Sequence, residues 1–193
     1  MGTSSTNSDV LLTGTQDNGT MKMDASTWYA VIGGDGMECL VDYTNENIMY
    51  GEWYYGALQK STDGGYNWGS IEPSGAGNGA WVTPFVIDPD DHNTLYIGYN
   101  DVYKTTNAGS SWNAISSGLT GGNTIRSLTV APSNTDYIYA GTSDSLYKTT
   151  NGGVSWVGIE AGLPDYYVTY IAVSPNDPDW IWVTLSNYES GEK

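Results

Sequence analysis

The sequence predicts an all-β fold, a β-propeller of four-stranded antiparallel blades, and three observations predict it. An eight-residue signature recurs in register: Ser61-Thr62-Asp63-Gly64-Gly65-Tyr66-Asn67-Trp68, Thr105 to Trp112, and Thr149 to Trp156, with the tryptophans 44 residues apart. A fixed period of that size marks a stack of supersecondary units. Between signatures lie short apolar runs broken by Gly, Asn, Asp and Pro, four to a period, the pattern of one antiparallel blade. No stretch sustains the 3.6-residue periodicity of an amphipathic helix.

Each strand of the period can be read in turn. First strands are Leu40-Val41-Asp42-Tyr43, Val86-Ile87-Asp88-Pro89, Thr129-Val130-Ala131-Pro132 and Ala172-Val173-Ser174-Pro175. Second strands are Ile48 to Gly51, Leu95 to Gly98, Ile138 to Gly141 and Ile181 to Thr184. Third strands precede each signature at Leu58-Gln59-Lys60, Val102-Tyr103-Lys104 and Leu146-Tyr147-Lys148, and fourth strands run from each signature Trp to Ile71, Ile115 and Ile159. This gives complete blades over residues 38–72, 83–116 and 126–160.

The ends are uneven. Residues 10–33 carry second, third and fourth strands, but their turn Asp24-Ala25-Ser26-Thr27 lacks the signature. Residues 169–185 supply only first and second strands. Closing one end on the other leaves a second strand over, so the expectation is an incomplete portion of a larger propeller, a single segment over 1–193. Its open blade edges favour self-association.

The pattern S/T-x-D/N-x-G-x-x-W after a hydrophobic run resembles the Asp-box, or BNR repeat. That family includes sialidases, xyloglucanases, the luminal domain of sortilin, a photosystem assembly factor and many secreted bacterial proteins. The resemblance covers nearly the whole chain and implies a propeller in which the boxes are structural. The residues support that role directly. Asp63, Asn107 and Asn151 can fold back on backbone N–H groups as Asx-turns. Gly65, Gly109 and Gly153 can take a positive φ. Ser61, Thr105 and Thr149 open each turn, and Trp68, Trp112 and Trp156 plug the gap between blades.

Strand direction sorts the loops. Boxes and first-to-second turns share one end; second-to-third loops and blade connectors share the other, where propeller ligands usually bind. That connector face is acidic and aromatic. Its candidate ligand-binding residues are Trp53, Tyr54, Tyr55, Trp81, Tyr99, Arg126 and Tyr167, with Tyr166, Asn187 and Tyr188 nearby. Aromatic rings beside amides and carboxylates suit sugars, whose apolar faces stack while hydroxyls seek partners. They suit a peptide equally, and each position could instead serve blade packing.

Asp17, Asp35 and Glu38 are the candidate catalytic carboxylates, since a glycosidase needs a pair about 5–9.5 Å apart. Xyloglucanases carry an early catalytic Asp in a Thr-Asp-x-Gly-Gly turn; Thr15-Gln16-Asp17-Asn18-Gly19 matches it with one residue inserted. A sialidase site is excluded because it needs three arginines and Arg126 is the only one. The leading expectation is a non-catalytic module that recognises a carbohydrate or peptide. Part of a xyloglucanase-like glycoside hydrolase and a sortilin-like peptide receptor are the alternatives.

Composition narrows the partners. With 6 Lys+Arg against 22 Asp+Glu, the formal charge of −16 repels nucleic acid and anionic membranes. No window is apolar enough to span a membrane. The lone Cys39 excludes an intrachain disulfide. His92, the only histidine, has no second His for a transition metal, and Asp88, Asp90 and Asp91 read as a solvated turn; no metal or cofactor is expected. The chain begins without a signal peptide, yet the resemblance places it in a secreted or cell-surface protein.

Overall fold

A computed structural model describes residues 1–163 and 167–186, and all regular structure in it is β apart from one 3-10 turn, Tyr54–Gly56. The first blade is β1 (Gly2–Thr3), β2 (Leu11–Thr15), β3 (Gly19–Asp24) and β4 (Thr27–Ile32). The second is β5 (Gly36–Val41), β6 (Met49–Trp53), β7 (Ala57–Ser61) and β8 (Gly69–Ser70). The third is β9 (Phe85–Ile87), β10 (Leu95–Gly98), β11 (Val102–Thr105) and β12 (Asn113–Ala114). The fourth is β13 (Ser127–Val130), β14 (Ile138–Gly141), β15 (Leu146–Thr149) and β16 (Val157–Gly158). A two-stranded sheet follows, β17 (Tyr167–Val173) with β18 (Ile181–Ser186). Every pairing is antiparallel, and each sheet is a meander in chain order.

The first blade differs from the three-stranded expectation. Gly2 pairs with Leu12 and Thr3 with Leu11, so β1 fills the innermost position. A side chain at Gly2 would sit 2.7 Å from Leu40 Cα, which is how two residues wedge beside β5. The inner place is therefore taken, so the first blade is complete and β17 with β18 stands as a partial blade at the other end. The missing signature has a local cause: Ala25 and Ser26 both adopt positive φ, 44° and 77°, in a tight hairpin turn. That turn lets β3 and β4 pair from Asp24 with Thr27 to Thr20 with Ile32, with one register shift between Thr20 and Met21.

The cores lie between blades rather than within them. Tyr50 and Leu58 of the second blade pack on Phe85, Leu95 and Ile97 of the third. Tyr96 and Val102 meet Ile125, Leu128, Val130 and Ile138, and the same registers recur at Tyr139 and Leu146 against Val168 and Ile171. Each apolar face is thus completed by its sequence neighbour, the logic of a repeat array.

The signature turns close on themselves. Ser61 Oγ donates to Asp63 Oδ1 at 2.8 Å and accepts the Gly65 N–H at 2.9 Å. Asp63 accepts the N–H groups of Tyr66 and Asn67 and the Asn67 amide, which holds its carboxyl down to about 2. Thr105/Asn107 and Thr149/Asn151 repeat the pattern with an amide oxygen in place of the carboxylate. Gly65, Gly109 and Gly153 have φ of 92°, 88° and 93°. The indoles of Trp112 and Trp156 donate to the carbonyls of Ile71 and Ile115 in the preceding blade, at 2.6 and 2.8 Å. Trp68 instead bonds Gly65 of its own turn.

Candidate functional site

The two ends of the arc are chemically distinct. At one, the signature turns bond to the first-to-second turns: Gly64 N–H to Asn47 O, Ala108 to Asn93, Gly152 to Asp136. At the other, second-to-third loops bond to blade connectors, as in Tyr55 N–H to Trp81 O and Ile125 N–H to Tyr99 O. The candidate ligand residues collect at this second end.

Three rings form one cluster there. Tyr54 and Trp81 stack with centroids 5.3 Å apart and planes 5° from parallel, and Tyr55 meets both edge-on at 5.4 Å. Such contacts contribute about 0.5–1.5 kcal/mol beyond burial, yet all three rings remain between 43 and 45% exposed. The backbone that presents them is strained: Tyr55 sits at φ 64°, ψ 21°, a left-handed conformation that costs an aromatic residue roughly 1–2 kcal/mol. Strain kept where large rings face solvent points to use.

Trp53 extends this surface. Its indole donates to Gly33 O at 2.6 Å, and with Tyr54, Ala57, Gly33 and Gly34 it lines a mostly apolar cavity of about 400 Å³. Arg126 and Tyr167 lie apart, sharing a cavity of about 280 Å³ with Trp81. Arg126 also lines the central channel, about 450 Å³, with Glu38, Leu40, Phe85, Leu128 and Tyr170. Among the described residues the guanidinium forms no ion pair.

Tyr99 requires a correction. It is only 2% exposed and its hydroxyl donates to Gly56 O at 2.5 Å, so it supports the aromatic turn from beneath instead of contacting a ligand. Tyr166, Asn187 and Tyr188 lie outside the described residues.

The carboxylate candidates separate by role. Asp35 Oδ1 accepts the Asp17 N–H at 2.7 Å, tying the first connector to the β2–β3 turn. Asp17 itself is exposed with φ 67°. Glu38 lines the channel and lies 3.4 Å from the N-terminal ammonium. Asp35 is thus occupied as a turn acceptor. Asp88 is likewise occupied, taking the N–H groups of Asp90 and Asp91 and the Tyr96 hydroxyl. His92 Nδ1 lies 2.8 Å from Asp42 Oδ2 and so bridges the second and third blades.

Two features escape sequence reasoning. Glu52, one residue beyond the strand Ile48 to Gly51 read from the sequence, is a fully buried residue of β6, and burial pushes its carboxyl up to about 9. A cavity of about 350 Å³ opens on the signature-turn end between Lys22, Asp24, Tyr29 and Tyr66. The absent signature in the first blade was the available sign of it.

No family model matches the chain, and no curated protein matches it. Solved structures do. A Niastella koreensis GH74 enzyme superposes with a TM-score of 0.74 at 22% identity, covering 92% of this chain and 33% of that one. The GH74 xyloglucanase from Xanthomonas campestris gives 0.70 at 18% identity, covering 92% and 34%. YCF48 bound to D1 peptide gives 0.61 at 16% identity, covering 96% and 62%. The chain spans about a third of the length of the GH74 enzymes it matches. At these identities the likeness establishes the fold, a portion of a β-propeller.

Proposed function

We propose that this chain is a non-catalytic Asp-box propeller module of an exported protein, and that it recognises neutral glycans through its connector face. The observation that carries the reading is the solvent-facing cluster of Tyr54, Tyr55 and Trp81 on a strained turn, continuous with the Trp53 cavity. Flat rings bind the apolar faces of pyranose units, and a surface of charge −16 admits a neutral polymer without repulsion. The likeness to GH74 enzymes, one named a xyloglucanase, supports a β-glucan as the first ligand to try. Calorimetry with xyloglucan and cello-oligosaccharides tests this. Saturable binding that weakens at least tenfold in Trp81→Ala, without release of reducing ends, is the expected result. Absence of binding to every neutral glycan tried sinks it, and reducing-end release lost in Asp17→Asn would favour a glycoside hydrolase.

A second reading rests on the central channel. Its apolar wall of Leu40, Phe85, Val86 and Leu128, with Arg126 at one side, suits an extended peptide bearing a carboxylate. The YCF48 neighbour with its D1 peptide supports it. Peptide affinity reduced by Arg126→Ala, with no glycan binding, would decide for that class.

A further inference from the structure

We propose that Glu52 is the positioning residue of the aromatic platform: its buried carboxyl fixes the 80–83 connector to the second blade and thereby sets Trp81 against Tyr54.

The register shows how unusual this residue is. Glu52 pairs with Leu58, and the equivalent pairs in the other complete blades are Gly14 with Thr20, Gly98 with Val102, and Gly141 with Leu146. Glycine stands at all three because the next blade presses there. An added Cβ would lie 1.8 Å from Met37 O at Gly14, 2.6 Å from Ile125 at Gly98 and 2.5 Å from Val168 at Gly141. Only in the second blade is the space given to a long polar side chain.

What that side chain reaches is the connector carrying Trp81. Glu52 Oε1 accepts the Thr83 N–H at 2.8 Å, and Thr83 Oγ1 donates to Ala80 O at 2.9 Å. Trp81 O then accepts the Tyr55 N–H, and Tyr55 O accepts the Gly79 N–H at 3.0 Å. The connector and the strained turn are thus laced together, with Glu52 beneath one side and the Tyr99 hydroxyl beneath the other. Glu52 and Thr83 are both fully buried, so water cannot replace the bond. A buried carboxyl is costly unless it is used.

The chemistry of the group fits a neutral acid. Oε2 has no partner among the described residues. Desolvation dominates the rise of the carboxyl to about 9, Glu38 on β5 adds to it, and the Thr83 N–H opposes it. The other titratable group facing it is the phenol of Tyr99, just after β10. Ionisation would leave an anion with one donor, so the connector should loosen as pH passes about 9.

The inference rests on the glycan reading only for its functional consequence, and its test reads the platform without a ligand. The probes are amide exchange of Thr83 and the Trp81 indole resonance, assigned with Trp81→Phe, in the wild type, Glu52→Gln and Glu52→Leu. In Glu52→Leu the Thr83 amide is expected to exchange at least a hundredfold faster and the indole resonance to shift, with cooperative melting retained. In the wild type both signals should change with a midpoint near pH 9, and in Glu52→Gln that transition should vanish. Unchanged Thr83 protection in Glu52→Leu, or the same alkaline transition in Glu52→Gln, overturns the proposal; should Glu52→Leu not fold, the Glu52→Gln profile decides alone. Xyloglucan affinity about tenfold weaker in Glu52→Leu would join the two readings. Altered resonances with no glycan binding in the wild type would leave Glu52 as positioning residue and remove the glycan.

Discussion

Lys60 Nζ lies 5.8 Å from the Tyr50 ring centroid and donates to Ala108 O, in the signature turn of the next blade, at 2.9 Å. The arrangement recurs. Lys104 covers Tyr96, and Lys148 covers Tyr139 while reaching Asp179 of the following sheet. Lys60 and Lys148 are therefore staples between repeats, while Lys104 covers a tyrosine of its own blade. Lys60→Met keeps the aliphatic stem but leaves a half-buried carbonyl unpaired. It is expected to cost about 1–3 kcal/mol, read as a lower urea midpoint at unchanged slope, and Lys60→Arg should recover part of it.

Asp63 supports a prediction with a definite sign. Its folded carboxyl is held to about 2 by Asn67 and Ser61, below the ordinary 3.8. A depressed acid stabilises the fold above its unfolded value, and that contribution disappears as pH falls through the folded one. Asn performs the same job at positions 107 and 151. Asp63→Asn should therefore melt within a few degrees of wild type at pH 7 and lose less stability between pH 4 and 2. Asp63→Ala, which removes every acceptor, should melt lower at both. Equal acid sensitivity of wild type and Asp63→Asn would contradict this account.

Glu52 gives the opposite pH dependence. Its folded carboxyl is raised from 4.5 to about 9, so the folded state retains a proton that the unfolded chain releases. Stability from this group is full below pH 4.5, declines across 4.5 to 9 and is gone above 9. Denaturant titrations at pH 5 and pH 8.5 should show a decline in the wild type that is a few kcal/mol steeper than in Glu52→Gln. Parallel curves would mean that the carboxyl ionises freely in the folded state.

These residues also mark where sequence reasoning reaches its limit. The spacing of Trp68, Trp112 and Trp156 makes blade order readable because each box must meet the preceding blade at one register. β1 is not readable: two residues, Gly2 and Thr3, carry no alternation, and only the nearness of the Leu40 backbone makes them a strand. Tyr54, Tyr55 and Trp81 are legible as aromatic loop residues, whereas the stacking of Tyr54 depends on Trp81, 27 residues further along the chain. Tyr99 and Glu52 mislead in a common way. Polar atoms near a strand end suggest a loop, but burial of both is decided by the blade that packs over them.

Gly98 tests the packing rule on which the Glu52 comparison depends. A Cβ there would lie 2.6 Å from Ile125 Cγ2 and 2.9 Å from Ile125 Cβ, inside the fully buried cluster between the third and fourth blades. The φ at Gly98 is not positive, so substitution meets only the steric obstacle. Gly98→Ala should then destabilise by about 1–3 kcal/mol through overpacking. Removing the opposing Cγ2 should relieve it: Ile125→Ala alone costs about 2–5 kcal/mol, but added to Gly98→Ala it should cost less than that. A double-mutant cycle by urea denaturation measures the coupling. Strictly additive costs would show that Ile125 does not press on this strand, and the contrast between Gly98 and Glu52 would lose its physical basis.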